Sequence, residues 1–210
     1  MLNIKRFKTG KWRENCYIVQ DSLNNGLIID PGENCDKIME YLNNNKINIL
    51  AIINTHGHYD HIGAVSVLKH KLKTPFYLHS KDNRLLKSAN LYRALFEGKQ
   101  TINIPSVDYY LDDCNQPLIF KDIKVKVIET PGHTKGSVCF QMDNYLFTGD
   151  TIFEKDIGRV DLPGGNKTEL TESLKKISVL PGSLEIYPGH GNSTTIGYVM
   201  ENNQKLKALV

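Results

Sequence analysis

Ile49-Leu50-Ala51-Ile52-Ile53-Asn54-Thr55-His56-Gly57-His58-Tyr59-Asp60-His61-Ile62 is the stretch on which the reading of this chain turns. Its first residues are aliphatic and rich in β-branched isoleucine, the pattern of a buried strand. Three histidines and one aspartate then fall between positions 56 and 61. Directly after them Ile62, Val65, Leu68 and Leu72 recur at helical spacing, which predicts His61 near a helix N-terminus. A strand over Phe76–His79 follows at once. The unit is therefore β-loop-α-β, with a cluster of ligand-type side chains in the first connection. Side chains placed where a strand ends, on glycine-bearing loops, are held firmly and remain reachable.

The same pattern returns along the chain. A strand over Ile123–Ile128 leads to Thr130-Pro131-Gly132-His133-Thr134. Tyr145–Thr148 leads to Gly149-Asp150, and Leu184–Tyr187 leads to Pro188-Gly189-His190-Gly191. His56 and His58 lie two apart, and alternate side chains of an extended segment point the same way, so both can reach one ion. Asp60 and His61 form a second pair, so a tight loop can serve two neighbouring ions. Histidine and carboxylate donors without thiolate suit zinc, and also iron or manganese. A single histidine is more commonly a partnered core or surface residue. A packed motif plus three further ligands at strand ends is a specific signal. His70, among lysines, and His79, at a strand end without a partner motif, are read as ordinary residues.

The remaining sequence restricts the setting. A chain of 210 residues can bury a real core, and no Pro/Ser-rich linker interrupts it, so residues 1–210 are expected to form one domain. The balance of 26 basic and 23 acidic residues, with lysines scattered, argues against a nucleic-acid partner. No apolar stretch has the length of a membrane span and the N-terminus lacks a signal-peptide core, so the expected location is cytoplasmic, without a membrane partner. Four cysteines without a Cys-x-x-Cys pair predict no disulfide framework, and Cys16 and Cys139 fall in apolar strand patterns. Further strands are expected over Leu2–Phe7, Asn15–Gln20 and Gly26–Ile29, the last stopped by Asp30-Pro31-Gly32. Helices are expected over Cys35–Asn44, around Leu85–Phe96, after a Thr168 cap, and at the C-terminus. Val138–Met142 and Tyr145–Thr148 should form a hairpin about Asp143-Asn144.

With these motifs the chain resembles the metallo-β-lactamase-fold metallohydrolases over nearly all of its length, and within them the small glyoxalase II-like (hydroxyacylglutathione hydrolase-like) type. The resemblance implies an α+β, four-layer αββα sandwich with a metal site at one edge of two facing sheets. It implies two divalent metal ions, zinc foremost. His56, His58 and His133 would hold the first ion, and Asp60, His61 and His190 the second. Asp150 would bridge them, and Asp30 would support the site from behind. Two departures bear on substrate. Full-length glyoxalase II enzymes append a helical domain that grips glutathione, whereas twenty residues follow His190 here. The Gly158-Arg159-Val160-Asp161 segment resembles a Gly-Arg-x-Asp loop shared by the short glyoxalase II-like proteins and by persulfide dioxygenases. Arg159 could clamp a substrate carboxylate or pair with Asp161 as scaffold, and scaffold is the favoured reading because structural ion pairs are common.

The activity implied is hydrolysis of small acyl thioesters by water activated between the ions, with Asp60 as proton acceptor when the tetrahedral intermediate collapses. The expected partner is a small-molecule thioester, and the protein is expected as a monomer or small homo-oligomer. The residues from Leu85 to Asp113 are expected to form a lid or wall, with Leu91, Tyr92 and Phe96 facing the acyl group or the core. The alternative is a persulfide dioxygenase with one non-haem iron. Ser137 fits the hydrolases better than the cysteine often found there in the dioxygenases. Lactone or other ester hydrolysis uses the same machinery. A nuclease is disfavoured for want of an exosite arm or inserted domain. A β-lactamase is disfavoured because the zinc-dependent drug-hydrolysing enzymes commonly carry cysteine where Asp150 stands and are exported.

Overall fold

The computed structural model describes residues 2–98, 101–112 and 114–210. The first half lays down a mixed sheet of six strands, adjacent in chain order: β1 (Asn3–Thr9), β2 (Glu14–Gln20), β3 (Asn25–Ile29), β4 (Asn48–Ile53), β5 (Phe76–Leu78) and β6 (Tyr109–Tyr110). Helix α1 (Cys35–Asn44) carries the crossover from β3 to parallel β4. Between β4 and β5 lie α2 (Tyr59–Ile62) and α3 (Val65–Leu72), and after β5 come α4 (Asn83–Lys87) and α5 (Ala89–Glu97). The second half forms another mixed six-stranded sheet: β7 (Leu118–Phe120), β8 (Ile123–Glu129), β9 (Val138–Met142), β10 (Tyr145–Gly149), β11 (Glu185–Pro188) and β12 (Thr194–Thr195). Helix α6 (Lys167–Ser178) links β10 to parallel β11, and α7 (Ile196–Asn202) and α8 (Gln204–Lys207) close the chain.

Side-chain alternation turns these elements into layers. Cys16 and Ile18 of β2 pack with Ile38, Leu42, Val65 and Leu68 of the helices on one side. Tyr17 and Val19, the residues between, pack with Val125, Phe140 and Phe147 of the facing sheet. On the far face of the second sheet, Cys139, Leu146 and Ile186 meet Leu170, Leu174 and Ile177 of α6. Three apolar cores between successive layers make the α+β, four-layer αββα sandwich that the resemblance implies. The central strands are buried on two faces, which explains why β2, β3 and β4 read as continuous apolar runs.

Several local expectations are revised. The helical spacing from Ile62 to Leu72 is broken at Gly63-Ala64, where the amide of Ala64 donates to the Pro31 carbonyl at 3.0 Å. A Cβ at Gly63 would overlap the Gly32 carbonyl, so the break follows from the close passage of the 31–32 turn. The cap of α6 is Asn166 rather than Thr168: its Oδ1 accepts from the amides of Thr168 and Glu169, at 3.0 and 3.2 Å. Strands β6, β7 and β12 were not expected; they have two or three residues each and leave no periodicity to read. The hairpin about Asp143-Asn144 is present, with Asp143 at φ 49°. No disulfide is present among the described residues.

Candidate metal centre

β4, β8, β10 and β11 all end at one edge of the sandwich, and the loops that follow them carry the seven sequence-predicted side chains to one place. The ligand-type atoms of His56, His58 and His133 lie within 4.8 Å of one another, as do those of Asp60, His61 and His190. Asp150 stands between the two groups. Its Oδ2 is 3.6 Å from Nε2 of His133 and 3.6 Å from Nε2 of His190, and its Oδ1 is 3.6 Å from Nε2 of His61. Asp150 and His61 are packed so closely on Gly189 that a Cβ there would overlap Asp150 Oδ1 and lie 2.8 Å from His61 Cε1.

The orientation of each ring is fixed from behind. His133 Nδ1 donates to the Arg159 carbonyl at 2.8 Å, and His190 Nδ1 donates to the Trp12 carbonyl at 3.1 Å. His61 Nδ1 faces Asp30 Oδ2 at 3.2 Å. The Thr55 hydroxyl donates to Asp30 Oδ2 at 2.6 Å, so it can only accept from His56 Nδ1, 3.1 Å away. Four rings thus use Nδ1 for a positioning bond and turn Nε2 inward. His58 is reversed, its Nδ1 lying 3.0 Å from His133 Nε2. Such outward bonds set the tautomer that leaves the inner nitrogen free as a donor to a metal.

Three of the inner atoms have no hydrogen-bond partner. His56 Nε2, His61 Nε2 and Asp150 Oδ1 are buried without a hydrogen bond. Orphaned buried atoms of this kind are costly, and several convergent lone pairs fit divalent cations. Electrostatics divide the group. Burial, with the neighbouring imidazoles, holds His56 well below the ordinary histidine range and brings His58 down to about 3. Burial also disfavours charge on His61 and His190, but the carboxylates of Asp150 and Asp60 outweigh it and raise both. Asp60 and Asp150 are lowered, because the facing imidazoles overcome the burial that would raise them. The two carboxylates are therefore ionised at neutral pH and the His56–His58 side is neutral, the forms that ligate a metal, whereas the raised His61 and His190 must release a proton to do so.

Support comes from residues that carry no motif. Asp82, in the turn after β5, accepts from the amides of Gly57 and Gly136 and from the Thr134 hydroxyl, each at 2.8 Å. It ties the loop of His56 and His58 to the loop of His133. Burial nevertheless pushes its carboxyl up. Glu14 is buried 4.0 Å from His61 Nδ1, accepts from the Thr9 hydroxyl at 2.5 Å, and is raised by burial. Asn15 Nδ2 and the Tyr17 hydroxyl donate to the Pro188 carbonyl at 2.9 and 2.7 Å, fixing the His190 loop against the first sheet. Asp30 accepts from the Thr55 amide at 2.7 Å, besides its contacts to Thr55 and His61.

The centre opens into a cavity of about 780 Å³. Leu85, Tyr92 and Phe96 of the α4–α5 segment line it, opposite the loop that follows β10. Leu91 does not; it is exposed on the outer side of α5, because its position on the helix turns it away from both core and cavity. Lys99, Gln100 and Asp113, within the stretch expected as a lid, lie outside the described residues. The Arg159 guanidinium makes two bonds of 2.8 Å to the carboxylate of Asp161. His70 is absent from the centre, and His79 is buried between Asp112 and Glu129 at 3.7 and 3.6 Å, well away from the ligands in role and partners.

Comparisons with known proteins agree with this fold. Residues 9–190 match the Metallo-beta-lactamase superfamily. The hydroxyacylglutathione hydrolase GloC of Haemophilus influenzae is 30% identical over 99% of both chains. Among solved structures, the B3 metallo-beta-lactamase BLEG-1 is 33% identical, with a TM-score of 0.92 over 97% of this chain and 99% of its own. TTHA1623, solved in a di-iron-bound form, is 32% identical with a TM-score of 0.86, covering 96% of this chain and 99% of that one.

Proposed function

Because the chain belongs to the metallo-beta-lactamase superfamily, we propose that it is a dinuclear metal-dependent hydrolase of small acyl thioesters, of the hydroxyacylglutathione hydrolase type. The observation that carries this reading is that two of the three-ligand groups lie on either side of Asp150, with a third (Asp30, His56 and His61) overlapping them, and that the inner atoms of His56, His61 and Asp150 are unpartnered. His56, His58 and His133 would hold one ion, Asp60, His61 and His190 the other, with Asp150 shared and Asp30 positioning His61 and Thr55. The donor set suits zinc, and iron is supported by the di-iron form of the similar TTHA1623. Thioester as substrate is supported by the likeness to GloC.

Bound there, the ions would supply Lewis acidity toward a carbonyl oxygen and a water of pKa near about 7. The protein supplies the rest. The cavity would place the substrate carbonyl against the ligand cluster. Water adds to the carbonyl carbon as hydroxide, its first proton having passed to solvent, and the C–S bond breaks as the tetrahedral carbon collapses to carboxylic acid and thiolate. A thiol pKa near about 8.5 lets the thiolate leave without an acid. Asp60 turns Oδ2 toward His190 and His61, at 3.4 and 3.9 Å, and its other carboxylate oxygen would take the proton released at collapse. The lowered carboxyl of Asp60 keeps it ionised, and also makes it a weak base.

A second reading has a specific support. The similarity to BLEG-1 brings back β-lactam hydrolysis, since that B3 enzyme is 33% identical to a chain bearing Asp150. A panel of S-acyl thioesters, a chromogenic cephalosporin and glutathione persulfide with an oxygen electrode separates the readings. Turnover is expected on thioesters, including modest turnover of S-lactoylglutathione. Activity confined to the cephalosporin, or oxygen uptake with the persulfide, would overturn the thioesterase.

A further inference from the structure

The mouth of the cavity has a charge arrangement that the hydrolytic reaction does not use. Two lysine or arginine side chains line it among the described residues, Arg159 and Lys205. Each is already engaged by both oxygens of a carboxylate that lines the same cavity. Arg159 holds Asp161, and Lys205 Nζ lies 2.7 and 2.8 Å from the two oxygens of Asp156. Between these pairs the wall is apolar and in large part aromatic. Trp12 comes from the β1–β2 connection, Tyr92 and Phe96 from α5, and Phe153, Val160 and Leu162 from the loop after β10. Tyr92 and Phe96 are stacked at 6.5 Å between centroids, and Trp12 and Phe96 are 47% and 41% exposed.

We infer that this cavity selects thioesters whose acyl group is apolar and uncharged, a medium-length alkyl or aryl chain, carried on a small neutral thiol; the inference rests on the thioesterase reading of the centre. An anionic substrate arm could reach Arg159 only by displacing Asp161. That exchange replaces one carboxylate by another and leaves Asp161 beside the incoming charge, so it gains almost nothing. The same holds at Lys205 and Asp156. A peptide conjugate with two carboxylates therefore finds no free cation among the lining side chains; Lys11, just outside the lining, holds its Nζ 5.3 Å over the Trp12 ring and 3.4 Å from the Phe96 carbonyl. An alkyl or aryl group instead removes exposed aromatic surface from water. Each buried methylene should tighten binding about fourfold. The cavity volume of about 780 Å³ lies in the range of small-molecule sites, with room for such a chain beyond the reacting carbonyl.

Trp12 is the single tryptophan of the chain and lines the cavity, so its fluorescence reports occupancy without turnover. The metal-loaded, full-length protein would be titrated with S-alkyl N-acetylcysteamine thioethers from ethyl to hexyl, and with S-hexylglutathione, none of which it can hydrolyse. Affinity should rise about three- to fourfold per methylene, with S-hexylglutathione within about threefold of its neutral counterpart. Phe96→Ala should reduce the gain per methylene to below about twofold. Asp161→Asn, which releases Arg159, should improve S-hexylglutathione relative to the neutral thioether by about two- to fivefold. A flat series, or a glutathione conjugate favoured more than about tenfold in the unmodified protein, would overturn the inference; so would an Asp161→Asn variant whose preference does not move. Chain-length-dependent binding without thioester turnover would count against hydrolysis while supporting apolar occupancy. Turnover without chain-length dependence would do the reverse.

Discussion

The floor and the mouth of one cavity are built on different principles. On the floor, every histidine is buried or half-buried, and each ring has a polar partner at the nitrogen that does not face the centre or, for His58, a neighbouring imidazole at the one that does. At the mouth, aromatic rings stack in partial contact with water, and the ion pairs stand in solvent. A buried donor or acceptor that loses its partner costs about 1–3 kcal/mol, whereas an exposed ion pair contributes about 0–1 kcal/mol. The floor therefore resists single changes, and the mouth can change without endangering the fold. Reaction chemistry and substrate choice are thus assigned to parts of the chain with different tolerance.

That contrast can be broken first at the floor. Asp150→Asn should lower turnover by more than about a hundredfold, since loss of even a supporting partner of a ligand commonly costs about 10–100-fold. Its larger signature should be in metal content, which falls while the folded state persists, because an amide oxygen cannot supply the charge shared by two ions. Metal analysis beside thermal unfolding checks this, and full metal content with full rate would remove Asp150 from the shared position. Asp82→Ala comes next. It leaves two amides and one hydroxyl without an acceptor, and should cost about 3 kcal/mol or more in urea unfolding, with Asp82→Asn milder because it keeps an acceptor oxygen. A loss below about 1 kcal/mol would mean that the two ligand loops do not depend on this clamp.

At the mouth the effects should shrink. Phe96→Ala should raise the Michaelis constant about three- to tenfold with stability changed by less than about 1 kcal/mol, since the ring is exposed. Tyr92→Ala should do both, because Tyr92 also packs against the helical core. Stability losses with unchanged Michaelis constants would place α5 outside the substrate site. Arg159→Ala should be smallest, within about 1 kcal/mol. Its backbone carbonyl still accepts from His133, so metal content should hold. Loss of metal in this variant would erase the distinction between floor and mouth.

The parts of this design differ in how far sequence shows them. The seven ligand-type residues were readable because each follows an apolar strand run, and strand ends in a sandwich converge on one edge. The four layers followed from the resemblance, and the alternation of Cys16 and Ile18 against Tyr17 and Val19 explains them physically. Asp82 and Glu14 were missed. Each reaches the centre through tertiary packing, Asp82 across 25 positions to Gly57, with no local pattern to mark it. The two cap-type residues Asn166 and Thr168 lie two apart, and which one caps is decided by the extended backbone at Asn166. Leu91 and Phe96 share an apolar helix pattern, and only packing shows that one lines the cavity and the other does not.

The central claim is that two ions share Asp150, and the most direct measurement is an anomalous-scattering crystal structure of protein reconstituted with divalent metal, with stoichiometry determined on the same sample. Two ions per chain are expected, one against His56, His58 and His133, the other against Asp60, His61 and His190, with Asp150 touching both. A single fully occupied ion that leaves Asp60, His61 and His190 unengaged would contradict the account and point to mononuclear chemistry.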